Sequence, residues 1–379
     1  MVVHDFIYPT FQNPPSSLVF HDQFSFRPTG STTAAIITLL HKVTHLLLTN
    51  PYVIVIALDF SKAFGTVRHH TLLDKIAQLD LPDHIHNWLV NFFNGHSHQT
   101  KFGNVMSALK SISASIIQGS AIGPASYVVN GSDLQAVSDG NDLSKYADDT
   151  YLIIPAVNVD TRSTEISHIT EWAKCNNLQL NLVKSQEIIF VDRKRKQKVS
   201  EPVEISGLQR VKQIKILGVI ITNGLSVSPH VQSVIASCAQ VLYALRILRA
   251  HGLCDSALQT IYRSVVISKV LYASSAWEGF ANATDRNKIQ SFISRSKRAG
   301  FCSPDLPDFD YLCTSMNNDL FNKVLKIPIH VLHPLLPPPI SPTQRYGLRP
   351  RVHNRTLPER TSHLVDCNFI IRMLYQGVY

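Results

Sequence analysis

The run Val53-Ile54-Val55-Ile56-Ala57-Leu58 constrains this chain more than any other segment. It is continuously apolar, rich in β-branched residues and ends at Asp59, so it is strand-sized and has no polar face to give to water. A strand of that kind is covered on both sides and belongs inside a sheet. The flanks supply the cover. Gly30-Ser31-Thr32-Thr33 is a helix start signal, and Ala34 to Leu48 carries apolar residues at helical spacing. Residues 1 to 50 therefore read as loop followed by helix. Thr66 to Phe93 turns helical again, restarted by Pro82, with Trp88, Leu89, Phe92 and Phe93 on one face.

Turns and short strands follow to about Ile117, then Gln118-Gly119-Ser120-Ala121-Ile122-Gly123-Pro124 punctuates the chain ahead of a helix reaching toward Val137. Tyr146-Ala147-Asp148-Asp149-Thr150 lies between Leu143 and the apolar Tyr151-Leu152-Ile153-Ile154, which is the pattern of a hairpin with two carboxylates at its tip. A helix over Ser163 to Asn176, a strand at Glu187 to Val191 and another at Ile214 to Ile221 complete an α+β sheet carrying helices on one side. Residues 229 to 298 read as wholly helical, with Arg246, Arg249 and Arg263 interspersed. Pro334, Pro337, Pro338, Pro339 and Pro342 then make an extended segment, accompanied by Arg345, Arg349, Arg351, Arg355, Arg360 and Arg372. Arg193-Lys194-Arg195-Lys196-Gln197-Lys198 is the densest charge run: a solvated loop, a phosphate-contacting edge or an import signal. The division that results is 1–225, 226–300 and 301–379.

With 45% hydrophobic and 17% charged residues the chain is neither disordered nor fibrous, and its net charge of +9 favours polyanionic partners. Uninterrupted apolar runs are strand-sized and Pro51 breaks the segment that starts at Leu46, so no membrane span is expected. Asp5 and Pro9 stand where a signal peptide would carry its basic and apolar regions. The 6 cysteines show no C-x-x-C pair, and the expected setting is intracellular, cytoplasm or nucleus.

An antiparallel pairing of the strand ending at Asp59 with the hairpin carrying Asp148 and Asp149 would gather three carboxylates that repel one another unless a cation compensates. Hard oxygen ligands on a sheet suit Mg²⁺, and two such ions about 3.5–4 Å apart activate a hydroxyl and stabilise a departing pyrophosphate. Taken singly, Asp148-Asp149 also reads as an ordinary turn and Asp59 as a helix cap.

Leu58-Asp59-Phe60-Ser61-Lys62-Ala63-Phe64, Gln118-Gly119-Ser120 with Gly123-Pro124, and Tyr146-Ala147-Asp148-Asp149 resemble motifs A, B and C of reverse transcriptases, in order and spacing. More closely, the chain resembles polymerases of non-LTR retrotransposons of the jockey and chicken-repeat type. Gln23-Phe24-Ser25-Phe26-Arg27-Pro28 upstream, Asn176-Asn177-Leu178 through Lys184-Ser185, and Leu217-Gly218-Val219 extend the likeness nearly end to end.

The resemblance implies a right-hand polymerase: a palm with an antiparallel sheet and partial fingers, an all-helical thumb, and a Pro/Arg-rich tail. It implies an RNA-directed DNA polymerase, a nucleotidyltransferase that adds dNTPs to a DNA primer on an RNA template. Two Mg²⁺ ions, with Mn²⁺ as substitute, would be held by Asp59, Asp148 and Asp149, with the backbone of Phe60 beside them. Phe64 falls at the steric-gate position that excludes a ribose 2′-hydroxyl; as a bare residue it also reads as core. Gln118 and Gly119 would shape the nucleotide and template pocket, Lys184 would protonate the leaving group, and Arg27 would contact phosphate or template; Lys184 alone reads as a surface lysine.

Gly65 stands where relatives usually carry aspartate. The chain also opens midway through the fingers, without the upstream Arg-Pro-Ile-Ser type motif or an endonuclease domain, so an N-terminally truncated polymerase is expected. The alternative reading is a catalytically inactive or co-opted remnant that binds nucleic acid through its basic helical region and tail.

Overall fold

The computed structural model describes residues 1–61, 63–117, 119–195, 200–340 and 353–376. They form two compact units, each assembled from separate stretches of chain. The first comprises Met1–Ser31, Ile54–Glu187 and Glu201–Arg210; the second comprises Thr32–Val53, Ile188–Ser200 and Val211–Tyr379.

A 5-stranded sheet runs in the order Gln209–Val211, Gln186–Phe190, Val53–Leu58, Asp149–Pro155, Asp142–Tyr146. The apolar run is its middle strand, with Ile54, Val55 and Ile56 fully buried, as a strand with no polar face requires. Asp142–Tyr146 and Asp149–Pro155 pair antiparallel, with Tyr146 opposite Asp149. The helices of the first unit are His69–Ile76, Asp83–Phe93, Gly123–Asn130 and Arg162–Cys175. Pro82 caps the second of these, and Gly131 ends the third well short of Val137.

Buried charge ties these elements together. Lys75 Nζ donates to Asp133 Oδ1 and Asn176 Oδ1, each at 2.7 Å, and stands over the Trp172 ring. Glu187 receives Arg162 at 2.8 Å and Arg210 at 2.6 Å. The chain start departs from the loop expected of it: Val3–Ile7 and Tyr8–Thr10 form one continuous helical stretch, with Pro9 where the π pattern gives way to the α pattern. Small antiparallel ribbons, Ser97–His98 with Lys110–Ser111 and Lys101–Phe102 with Val105–Met106, occupy the stretch before Ile117.

The second unit is built on helices Thr32–Thr49, Ser228–Ala250, Ala283–Arg298 and Phe309–Lys326. Asn282 and Asp308 cap the last two, each accepting a backbone N–H at 2.8 Å. The stretch 229–298 carries helices and no strand, as expected, broken where Ala273 adopts φ 51° and where Ala281 is extended. The single strand expected over Ile214 to Ile221 is a hairpin, Gln213–Ile216 with Val219–Thr222, turned by Leu217 and Gly218 at φ 44° and 91°. Buried Glu278 accepts from Asn317 Nδ2 at 2.8 Å and from Arg372.

Two helices pass a test of length and composition that buried core helices pass as well. Thr32–Thr49 and Ser228–Ala250 are long and apolar enough by length and composition to cross a bilayer. Counting uninterrupted apolar runs misses them, because His, Thr, Ser and Gln are interleaved. The charge run also gains a role: Arg195 donates to the carbonyls of Leu48 at 2.6 Å and Asn50 at 3.3 Å, at the C-terminal end of Thr32–Thr49, and Arg193 donates to Asn223 Oδ1 at 3.0 Å. Lys196 and Lys198, like Arg345, Arg349, Arg351 and Pro342 of the tail, lie outside the described residues.

Candidate active site

Asp59 follows the middle strand directly, and Asp149 opens the strand beside it. The backbone of Asp59 is clamped from a distant stretch. Its N–H donates to Ser185 Oγ at 3.1 Å, and its carbonyl accepts the N–H of Asn181 at 2.8 Å. Phe60–Ser61 then pairs antiparallel with Gln179–Leu180. Lys184 sits exposed on that clamp, its N–H bonded to Asn181 Oδ1 at 3.2 Å.

Ala147 and Asp148 form the two-residue turn between Tyr146 and Asp149. Ala147 has φ 56°, the left-handed region that costs a residue with a Cβ about 1–2 kcal/mol and that hairpins of this length usually give to glycine. Its N–H is received by Gln23 Oε1 at 3.1 Å and Ser25 Oγ at 2.6 Å.

The three aspartates share one field. Desolvation, then the charge of Asp148, then that of Asp59, raise Asp149 above its ordinary carboxylate range, although its side chain opens to solvent. Among the described residues no three Asp, Glu, His or Cys side chains close into a ready-made metal cluster. The donors nonetheless fit a hard divalent cation, being all oxygen and mutually repelling.

Behind them lies an aromatic group. Phe64 stacks on Tyr127 with centroids 4.1 Å apart and meets Phe26 edge-on at 6.4 Å. The Tyr127 hydroxyl is pushed up by burial and then by the charges of Asp148 and Asp149. Phe60 is 8% exposed with its ring edge-on to Trp172, which leaves only its backbone for a ligand. Gly119 has φ 86° and nothing of the protein within 4 Å of where a Cβ would stand, so conformation is what glycine supplies there. Gln118 lies outside the described residues. Arg27 donates to the carbonyls of Phe20 and of Gln23, the latter at 3.2 Å, so part of its guanidinium braces its own loop; burial lowers its pKa and Asp22 raises it.

A profile described as "Reverse transcriptase (RNA-dependent DNA polymerase)" matches residues 2–221. The chain belongs to the reverse transcriptase family. Among its relatives, "Probable RNA-directed DNA polymerase from transposon BS" of Drosophila melanogaster is 26% identical over 355 residues, covering 89% of this chain and 37% of that protein. "RNA-directed DNA polymerase from mobile element jockey" of the same organism is 24% identical, covering 73% and 31%. The chain thus spans about a third of the length of these relatives. A solved telomerase from Candida tropicalis, in complex with a fragment of telomeric RNA, is similar at 12% identity and TM-score 0.45, over 86% of this chain and 49% of that one.

Gln23, Ser25, Phe26, Asn181 and Ser185 fall in segments that resemble the family, but sequence reasoning gave no role to them or to Tyr127: Asn181 and Ser185 on Asp59, Gln23 and Ser25 on Ala147, and Phe26 and Tyr127 around Phe64. One signal was available, an alanine where a tight hairpin turn prefers glycine.

Proposed function

We propose that this chain is the RNA-directed DNA polymerase part of a non-LTR retrotransposon protein. What supports the reading is that Asp59 directly follows one strand and Asp149 opens its neighbour in the sheet, with Asp148 beside it, within the segment that matches the family. The substrates are an RNA template, a DNA primer and dNTPs, and the chemistry is attack of the primer 3′-hydroxyl on the α-phosphate of the incoming nucleotide.

Asp59, Asp148 and Asp149 would hold two divalent ions, Mg²⁺ or Mn²⁺, whose chemistry when bound is to acidify the 3′-hydroxyl and neutralise the departing pyrophosphate. The Phe64 ring, kept in place by Tyr127 and Phe26, excludes a 2′-hydroxyl. Lys184 delivers a proton to pyrophosphate from the segment that clamps Asp59. Gln118 and Gly119 border the nucleotide, and Arg27 faces template or phosphate. The helices within 226–300 act as a thumb on the primer–template, and the Pro/Arg-rich tail adds phosphate contacts. The setting is intracellular, in cytoplasm or nucleus.

Primer extension on an RNA template with Mg²⁺ and dNTPs tests this reading. Extension that disappears in Asp148→Asn supports it, and binding of primer–template without extension in any metal refutes it. The intact carboxylate trio favours this reading over a silent nucleic-acid-binding remnant; activity seen only after Gly65→Asp would mark motif A as the defect.

A further inference from the structure

We infer that Gln23 and Ser25 are positioning residues that hold Ala147 left-handed and so fix the direction in which Asp148 and Asp149 leave the hairpin. The hairpin does not hold this turn by itself. The Ala147 N–H is bonded by two side chains from a segment more than a hundred residues away in sequence, Gln23 Oε1 at 3.1 Å and Ser25 Oγ at 2.6 Å. Both residues are buried, at 3% and 2% exposure, so water does not compete for the bond. Gln23 Oε1 also accepts the N–H and hydroxyl of Ser25, each at 3.0 Å, which locks the two side chains into one acceptor unit.

That unit is registered against the strand leading into the turn. The N–H of Phe24 donates to the Lys145 carbonyl at 2.9 Å, the N–H of Lys145 donates to the Asp22 carbonyl at 2.7 Å, and the Lys145 ammonium pairs with Asp22 at 2.9 Å. The acceptors therefore stand at a fixed height against the residue that precedes Asp148. A strained backbone conformation persists where its surroundings over-determine it, and such strain concentrates where a side chain must be aimed.

The catalytic consequence rests on the polymerase reading; the geometric one does not, and the experiment separates them. The full chain is compared with Gln23→Ala, Ser25→Ala, the conservative Ser25→Thr, and Ser25→Ala combined with Ala147→Gly. Two readouts are taken: Mn²⁺ affinity by electron paramagnetic resonance, with Asp148→Asn defining the site-specific part, and kcat and KM of primer extension. Melting curves identify the variants that fold.

Folded Gln23→Ala and Ser25→Ala variants should lose about tenfold or more in site-specific Mn²⁺ affinity and in kcat, the scale set by supports behind metal ligands, with KM for dNTP within about twofold. Ser25→Thr keeps the hydroxyl and should keep both. Ala147→Gly should restore most of the loss in Ser25→Ala, because glycine takes a positive φ unaided. Unchanged Mn²⁺ affinity in the folded single variants, no recovery with Ala147→Gly, or no site-specific Mn²⁺ binding by the chain itself overturns the inference. Lost and rescued Mn²⁺ affinity in a chain that never extends a primer sustains the positioning role while refuting the polymerase reading.

Discussion

The ion pair between Asp22 and Lys145 should be worth more to this protein through its removal than through its charge alone. Their side chains are 5% and 3% exposed and 2.9 Å apart, and the ammonium also donates to the carbonyls of Gly131 and Leu134, each at 2.8 Å. Asp22→Asn leaves the ammonium buried without its carboxylate, a change of about 3–5 kcal/mol, toward the lower end because the amide oxygen still accepts. Lys145→Met strands the Asp22 carboxylate at a similar cost and leaves two carbonyls unsatisfied at about 1–3 kcal/mol each, which rivals the whole stability of a domain. The double variant Asp22→Leu with Lys145→Met removes the charge penalty and keeps the carbonyl one. Urea unfolding at neutral pH, followed through Trp172 in the same unit, should therefore rank the wild type first, then Asp22→Asn or the double variant, with Lys145→Met least stable. High salt should not narrow the gaps, since buried pairs are poorly screened. A loss below about 1 kcal/mol for Asp22→Asn would show that water reaches the pair and would refute the argument.

Three other perturbations follow from the site and its supports. Because Asp149 is raised, its ionised form strains the fold at neutral pH and the strain is relieved as pH falls through the raised value. Asp149→Asn should melt higher than wild type at neutral pH, the advantage shrinking as pH drops to the ordinary carboxylate range; an advantage that grows on acidification would refute this. Phe64→Val should raise ribonucleotide incorporation relative to deoxynucleotide by about tenfold or more, read from parallel extension assays with each nucleotide. Gly65 is exposed with nothing within 4 Å of a Cβ, so Gly65→Asp should shift stability by no more than about 0.5 kcal/mol in thermal unfolding.

What the sequence made legible was local. Val53–Leu58 appears as a strand with the expected ends, and the hairpin tip falls on Ala147 and Asp148 with Asp149 opening the next strand, one residue from the expected carboxylate pair, because burial on both faces and a turn between apolar runs are recorded in consecutive residues. Patterns of this kind also mislead when two elements share one apolar stretch, as at Leu217 and Gly218, where positive φ rather than polarity makes the turn. A run of basic residues reads as surface, yet Arg195 caps a helix whose carbonyls are far away in sequence. The supports of the site were hidden for the same reason: Ser185 reaches Asp59 across 126 residues and Gln23 reaches Ala147 across 124. No periodicity encodes contacts at such separations; they exist only after the sheet has formed.

The helix Thr32–Thr49 counts with the second unit, where it packs on Ser274–Trp277 and where Asn368 Nδ2 donates to Thr44 Oγ1 at 2.6 Å across 324 residues of chain. On a ribosome adding about 5–20 residues per second, that separation is roughly 15–65 s during which an apolar helix has emerged and its Asn368 partner has not. A chain interrupted before Ser274 would carry that helix with neither of these partners, leaving its apolar face open to other unfolded chains.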